Sequence, residues 1–262
     1  MVMTTFRDFV SKFRHYFRFS KEEIEACIIS VCAIAFIVSF DEWGYGVNFD
    51  FNVGLFHFLR AVIVVSIVLG LQIVTTKIQA LNWGLRAEYK LWWYGIFIGL
   101  GLAFFSGSLT NDVGKIVIVW FLAPGGIFLH HMAQHRLGWF RYGVNMKDNG
   151  MCCMLGSLST IGLAVVVKLL MYFFEPGAFY AFLEKILSVS VWYSLFSFLP
   201  IPPLNGSRVF FWSRLTYMFV LGFIIGAVIL LLTPLNIFWT IILSLVVGVI
   251  VWLVQLVKIE VS

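Results

Sequence analysis

Long apolar stretches recur between residues 24 and 256, and they constrain the fold more than any other feature of the chain. Of 262 residues, 61% are hydrophobic and 12% are charged, whereas a soluble globular domain has roughly 45–50% apolar and 25% charged residues. Apolar runs of this length indicate transmembrane helices, because a helix satisfies its backbone hydrogen bonds internally. We therefore predict an all-α polytopic membrane protein with about seven to eight membrane segments, and we exclude an ordinary soluble enzyme.

One apolar segment, residues 116–129, is interrupted by Pro124, Gly125 and Gly126. Its pattern is compatible with a crossing, a re-entrant segment or an edge hairpin. The other apolar runs give clearer predicted spans, which are 24–40, 55–74, 91–106, 151–174, 179–199, 215–232 and 237–257.

The chain is basic, with a formal net charge of +5. In a membrane protein, basic residues collect in cytoplasmic loops and at anionic lipid, so this charge does not indicate nucleic acid. If residues 116–129 cross the membrane, the basic loops fall on one side and the acidic loop at 41–54 falls on the other. We therefore predict an integral protein of the cell membrane with the N-terminus and the C-terminus in the cytoplasm.

The first 20 residues predict a basic amphipathic helix that lies on the membrane surface. Its aromatic and basic side chains would face lipid or a partner protein, and the residues concerned are Phe6, Phe9, Phe13, Arg7, Lys12 and Arg14.

Two polar segments stand out within the apolar background. One is QIVTT at 72–76, and the other is LPIPPLNG at 199–206, whose three prolines and terminal glycine break a helix. The predicted topology places both segments at the same depth on the same side of the membrane. Broken backbone at that depth is tolerated where protein or a cavity covers it.

The segment 198–212, FLPIPPLNGSRVFFW, resembles the LPIPPLDG signature of site-2-protease-like intramembrane zinc metalloproteases, and it resembles their archaeal branch most. LQIVTTK at 71–77 stands where that family has LHELAHK, and GSLST at 156–160 is similar to its GPLTN segment. The resemblance implies one membrane domain over 21–262. This domain would contain a site-2-protease-like core at about 55–212 and an additional C-terminal helical hairpin at 215–258.

The resemblance also indicates what has changed at the metal site. Gln72 and Thr76 stand at the two histidines, Ile73 at the catalytic glutamate, and Asn205 at the aspartate that is the third zinc ligand. Zinc hydrolysis needs imidazole or carboxylate ligands and a group that accepts a proton from water. With all four positions replaced, we expect no catalytic residue, no bound metal or cofactor, and a chain that is not an enzyme. The replacements could hydrogen-bond one another as a neutral polar cluster.

His130, His131 and His135 are the residues that suggest a different metal site. Two of them have the four-residue spacing that places side chains on one face of a helix. A basic polar loop explains the same residues, and we prefer it because short histidine clusters are weak signals.

Three functions remain as hypotheses. The first is a pseudoprotease that serves as a structural or accessory subunit, or as an adaptor, and binds membrane lipids and other integral membrane proteins. The second is an active zinc metalloprotease with atypical ligands such as the His130 cluster. The third is a transporter or channel, which would need ionisable residues along a wet path.

Overall fold

The computed structural model describes residues 13, 14, 16–45, 48–107, 120–131, 144–233 and 235–261. Within these ranges the chain forms eight α-helices and four short or medium strands. The helices are α1 (Lys21–Val38), α2 (Phe51–Asn82), α3 (Trp93–Gly107), α4 (Met146–Met171), α5 (Ala178–Ser197), α6 (Asn205–Trp212), α7 (Arg214–Leu231) and α8 (Ile237–Val261). The strands are β1 (Gly44–Tyr45), β2 (Asn48–Phe49), β3 (Leu85–Leu91) and β4 (Gly125–His131).

The helical architecture confirms the predicted class, an all-α membrane protein. Four helices in the described part of the chain are long and apolar enough to cross a membrane, and a shorter apolar helix lies at Trp93–Phe105. The four are Phe51–Asn82, Met146–Met171, Arg214–Leu231 and Ile237–Lys258. The predicted spans at 24–40 and 179–199 coincide with α1 and α5, which are helices of 18 and 20 residues.

The segment at 116–129 is not a helical crossing where the structure describes it. Gly125–His131 is a strand that pairs antiparallel with Leu85–Leu91, from Leu85 opposite His131 to Leu91 opposite Gly125. The glycines explain this arrangement, because a Cβ built at Gly126 would overlap the Pro203 carbonyl oxygen. Of the three alternatives that the sequence left open, the paired strand at 125–131 agrees with the edge hairpin and not with a helical crossing. The close approach of Gly126 to Pro203 brings β4 against the proline-rich segment.

Helix α4 lies at the centre of the fold and packs against α2, α5, α6 and α7. Helices α7 and α8 form an antiparallel pair in close contact, since a Cβ at Gly222 would lie 2.9 Å from the Val251 Cβ. Gly226 approaches the Cα of Ser244 in the same way. Small residues on facing helices allow this approach of backbones, as in membrane helix pairs generally.

A buried ion pair joins α1, α2 and β3. The Lys77 ammonium lies 2.7 Å from Glu23 Oε2, and the two side chains are 5% and 2% exposed. Lys77 also donates to the Arg18 carbonyl oxygen, while the Tyr89 backbone N–H donates to Glu23 Oε1. The predicted span ended at residue 74, but α2 continues to Asn82, so Lys77 lies within the helix.

Two lysines that the sequence places inside apolar segments have partners in the fold. Lys168 is buried and donates to the carbonyl oxygens of Leu230, Leu231 and Thr233 at the end of α7. Lys185 forms an ion pair with Glu42 at 2.6 Å. A cation at a helix C-terminus is stabilised by the helix dipole, so Lys168 joins α4 to α7.

The buried pair yields a stability prediction. Replacing either partner alone, as in Lys77→Met or Glu23→Gln, is expected to lower the free energy of unfolding by about 3–5 kcal/mol, because the remaining partner stays buried without its counter-charge. Unfolding of the purified protein in detergent measures this loss.

The control is Arg86→Gln, which removes the exposed ion pair between Arg86 and Glu88. An exposed pair contributes roughly 0–1 kcal/mol. Equal losses for the buried and the exposed pair would contradict the role given to Glu23 and Lys77.

Candidate functional site

The four positions singled out by the sequence are all buried. Gln72, Ile73 and Thr76 lie on one turn of α2, and their side chains are 3%, 3% and 0% exposed. Asn205 is the first residue of α6 and is 2% exposed. The two polar segments are far apart in the chain, and both reach the interior of the helix bundle.

Helix α4 brings the two segments together at consecutive residues. A Cβ built at Gly156 would overlap Thr76 Oγ1, so the threonine hydroxyl of α2 lies directly on this glycine. At the next position, Ser157 Oγ accepts from Asn205 Nδ2 at 3.4 Å. Since adjacent Cα atoms are about 3.8 Å apart, the polar groups of α2 and α6 meet α4 at neighbouring points.

Helix α5 adds hydroxyl groups that the sequence reasoning missed. Ser197 Oγ lies 3.3 Å from Ser157 Oγ, and Ser194 donates to the Ser157 carbonyl oxygen. Both serines are buried within an apolar helix. Their spacing of three residues places them on one helical face, and polar residues on one face of an otherwise apolar segment are the signal that could have identified them.

The proline-rich segment orients the start of α6. A Cβ at Gly206 would overlap the Phe198 carbonyl, so only glycine allows α6 to begin this close to the end of α5. Tyr217 on α7 donates its hydroxyl to the Phe198 carbonyl oxygen at 3.3 Å and stacks on the Phe198 ring. These contacts hold Asn205 at its position against α4.

Most of the hydroxyl groups in the cluster donate to helix carbonyls. Thr76 donates to the Gln72 carbonyl at 2.9 Å, and Thr160 donates to the Ser157 carbonyl at 2.7 Å. The side-chain oxygens Gln72 Oε1 and Asn205 Oδ1 are buried, and no described residue donates a hydrogen bond to either. The cluster is therefore neutral and holds two acceptors that other described groups leave unpaired.

Ile73 faces a different surface from Gln72 and Thr76. It lines an apolar cavity of about 420 Å³ between α1 and α2, together with Cys27, Val31 and Leu69. We call this cavity the α1–α2 groove. Gly70 also lines it, and a Cβ at Gly70 would meet nothing within 4 Å. The groove therefore lies beside the polar cluster, because Ile73 of the groove and Gln72 and Thr76 of the cluster lie on the same turn of α2.

The histidine cluster lies on a strand in the described part of the chain. His130 and His131 end β4, and successive side chains of a strand point to opposite faces. His130 is exposed and its Nε2 lies 3.9 Å from Glu88 Oε2. His130 and His131 therefore lie in a strand and not in the basic loop that the sequence favoured, and His135 lies outside the described residues.

The predicted surface residues are described only in part. Phe13 is exposed and stacks on Phe17, and Arg14 is exposed. The other four, Phe6, Phe9, Arg7 and Lys12, lie outside the described residues.

Two ionisable side chains outside the spanning helices have raised pKa values. Burial raises the pKa of Tyr89 well above its ordinary value, and its hydroxyl lies 2.8 Å from Ser30 Oγ. Burial also raises the pKa of the Asp41 carboxyl, and the neighbouring Glu42 adds to this. Neither side chain contacts the polar cluster through a described hydrogen bond.

The donor set of the polar cluster does not fit a zinc ion. Zinc in proteins is held by thiolate, imidazole or carboxylate groups, whereas the positions here offer two amides, a hydroxyl and an alkyl side chain. The Thr76 hydroxyl is already engaged with the Gln72 carbonyl. In the described ranges, no group of three or more His, Cys, Asp or Glu side chains is placed to hold a metal.

Comparisons with known proteins identify one informative relative. The chain is 26% identical over 205 residues to the protein named "putative zinc metalloprotease MJ0611" of Methanocaldococcus jannaschii, which covers 78% of this chain and 91% of that protein. No protein-family model matches the chain, and no solved structure matches it significantly. The similarity extends across most of the fold and supports, at a general level, a relationship to membrane proteins of a zinc metalloprotease family.

This similarity corrects one expectation. The sequence reasoning held that the chain is not an enzyme, but the named relative points to a protease family. The expectation was wrong because it drew a conclusion about the activity of the whole protein from the side chains at four positions. Side chains at one cluster determine what that cluster can bind, and they do not exclude chemistry elsewhere in the chain.

The contact between α2 and α4 yields a test of the site geometry. Gly156→Ala is expected to destabilise the protein by about 1–3 kcal/mol, because the new methyl group must displace the Thr76 hydroxyl. Gly162→Ala on the same helix is the matched control, since nothing lies within 4 Å of a Cβ there. Alanine at 162 should stabilise by roughly 0.5–1 kcal/mol through helix propensity. Unfolding in detergent measures whether each variant has a lower or a higher free energy of unfolding than the wild-type protein.

Convergence of the two polar segments can be tested by building a metal site. The triple variant Gln72→His, Thr76→His and Asn205→Asp is expected to bind zinc at about one ion per chain. The double variant without Asn205→Asp should bind it far more weakly, because it has lost one of three ligands. Elemental analysis after dialysis measures both, and equal zinc content in the two would show that Asn205 does not face α2.

Proposed function

We propose that this chain is a site-2-protease-like membrane protein of the archaeal branch that binds other integral membrane proteins. It serves as a structural or accessory subunit, or as an adaptor, and it receives an apolar transmembrane segment of its partner in the α1–α2 groove. Two observations support this proposal, the similarity to a protein named as a zinc metalloprotease and the position of the groove beside the polar cluster.

The groove is the observation that carries the proposal. Its walls are side chains of α1 and α2, with Phe19 at one end, and its lining contains no charged residue. Two of the apolar side chains that line it, Ile24 and Ile28, are exposed. Exposed apolar surface of this kind is stable in lipid, and it offers a complementary surface to another apolar helix.

Small residues favour a helix as the occupant. Ser66 and Gly70 line the groove four residues apart on α2, and the Ser66 hydroxyl donates to the Val62 carbonyl of its own helix. Small residues at this spacing let a second helix approach the backbone closely, which is how helices associate where lipid removes the hydrophobic driving force. The groove therefore suits a transmembrane helix with small or apolar side chains.

The proposed location is the cell membrane, with both termini in the cytoplasm. The support is the pairing of β3 with β4, which would keep residues 85–91 and 125–131 on one side of the membrane, together with the excess of lysine and arginine in the segments that would face that side. Membrane lipids are the second proposed partner, through the basic aromatic N-terminal segment.

A second candidate function is zinc-dependent proteolysis, which the named relative favours. Because the polar cluster does not fit zinc, the ligands would come from other residues, such as those of the His130, His131 and His135 cluster, of which His130 and His131 point to opposite faces of β4 and only one could join His135. Chelator-sensitive cleavage of a membrane substrate, together with about one zinc ion per chain, would establish this candidate. Loss of that zinc on His130→Ala and His131→Ala would locate the metal.

The native cysteines allow a direct test of the groove. Cys32 is exposed and lines the groove, whereas Cys152 and Cys153 are buried. A photoreactive maleimide on Cys32, in a Cys27→Ala background, is expected to cross-link a transmembrane segment of a partner in native membranes. Mass spectrometry identifies the cross-linked peptide.

The matched variants are Gly70→Trp, which fills the groove, and Gly101→Trp on α3, where a Cβ also meets nothing within 4 Å. Gly70→Trp should reduce the cross-linked product at least tenfold and Gly101→Trp should leave it unchanged. Equal yields in the two variants, or cross-links to lipid alone, would contradict the proposal.

A further inference from the structure

Two cations from different parts of the chain lie on one aromatic ring. The Lys90 ammonium of β3 lies 5.4 Å from the centroid of the Phe128 ring, and the Arg208 guanidinium carbon of α6 lies 4.6 Å from it. Because both distances end at one point, the charged groups are at most about 10 Å apart, which is close to the Debye length at physiological ionic strength. We call Lys90 and Arg208 the cation pair. Their like charges repel each other, so the pair favours an anion near both.

No described carboxylate forms an ion pair with either member of the cation pair. Glu88, on the same strand as the lysine, lies 3.2 Å from an Arg86 nitrogen and 3.9 Å from His130 Nε2. Arg208 donates through Nη1 to Asn149 Oδ1 at 3.3 Å, which is an uncharged acceptor. Within the described ranges, the charge of the pair is therefore without a counter-ion.

The cation pair lies where membrane helices end. Strand β3 lies between the end of α2 at Asn82 and the start of α3 at Trp93. Asn149, the acceptor of the Arg208 hydrogen bond, lies in the first turn of α4. Trp93 and Tyr94 are 52% and 74% exposed, and such aromatic side chains concentrate at the boundary between lipid and water. Lipid headgroups lie at this level.

The two kinds of cation favour a phosphate group as the anion. A guanidinium binds phosphate through two parallel hydrogen bonds, and an ammonium binds it as a point charge. The ring contact and the Asn149 hydrogen bond hold the Arg208 guanidinium in place. Basic pockets between membrane helices are known sites for anionic headgroups. A zwitterionic headgroup fits less well, because its own cation would be repelled by the pair.

We infer that the cation pair binds the phosphate group of an anionic phospholipid. The inference rests on the proposal that membrane lipids are partners of this chain, and it assigns them a surface of β3, β4 and α6 in addition to the N-terminal segment. It makes no use of the α1–α2 groove.

Titration of the full-length protein in detergent with phosphatidylglycerol or phosphatidylcholine tests this site. The wild-type protein is expected to bind one phosphatidylglycerol more tightly than any phosphatidylcholine. Lys90→Gln should weaken that binding about fivefold, which is the effect of one basic residue near anionic lipid. Arg208→Gln should weaken it further, because the paired hydrogen bonds are also lost. Native mass spectrometry counts the lipids bound to each chain.

Lys258→Gln is the matched control, because it removes the same charge from an exposed lysine in the last turn of α8. It should leave the affinity for phosphatidylglycerol unchanged. Lys90 is exposed, so its variant tests the site even if Arg208→Gln does not fold. Equal affinities in Lys90→Gln and Lys258→Gln, or equal binding of the two lipids by the wild-type protein, would overturn the inference.

Two further arms separate this site from other sources of anion binding. Inorganic phosphate at the same concentration should not displace the bound phosphatidylglycerol, and displacement would show a site for free phosphate and overturn the inference. Lys12→Gln, in the N-terminal segment, should leave this lipid bound. Loss of the lipid in Lys12→Gln, with none in Lys90→Gln, would support the proposed lipid partner and overturn this site. Cross-linking at Cys32 reports on the groove alone.

Discussion

The buried ion pair between Glu23 and Lys77 holds the arrangement on which the candidate site depends. Lys77 directly follows Thr76, so the charge that anchors α2 to α1 lies one residue from the polar cluster. Glu23 also accepts from the Tyr89 backbone, which attaches β3 to the same point. Since α1 and α2 form the walls of the groove, this pair fixes the distance between them. A buried pair is costly to desolvate and contributes through geometry as much as through stability.

The polar cluster shows how a membrane bundle accommodates broken backbone. The segment between α5 and α6 leaves helical structure, and it is covered by α7 on one side and by β4 on the other. Irregular backbone at this depth is stable only where protein covers it. The glycines at 126 and 206 make that cover possible, because each meets a backbone carbonyl group of this segment or its flank where a Cβ would stand. Backbone contacts therefore place Asn205 beside α4, with little dependence on which side chain it carries.

The sequence predicted the parts of the fold that rest on apolar periodicity and missed those that rest on close contact. Long runs such as 55–74 and 237–257 predicted α2 and α8, because a helix is the only way for an isolated apolar segment to satisfy its backbone in lipid. Strand β4 was only one of three alternatives, the edge hairpin, because GGIFLHH has no alternating pattern that would have selected a strand. The partners of Lys168 were also missed, because they are carbonyl oxygens 62 to 65 residues away. Every residue has a backbone carbonyl group, so the sequence does not indicate which of them accepts a hydrogen bond from a lysine.

In the candidate site, too, the sequence indicated some of the residues and missed those that join through tertiary contacts. The predicted topology put 72–76 and 199–206 at one membrane depth. The structure buries Gln72, Thr76 and Asn205, and the contacts of Gly156 and Ser157 explain how both segments reach α4. The resemblance gave no information on Ser194 and Ser197, which lie outside the motif and complete the cluster from α5. A motif describes positions that a reaction requires, whereas a neutral cluster is assembled from any helix that can supply a hydroxyl group. The similarity to a zinc metalloprotease and the absence of zinc ligands in the cluster are therefore compatible, since the first concerns the path of the backbone and the second the side chains at one point along it.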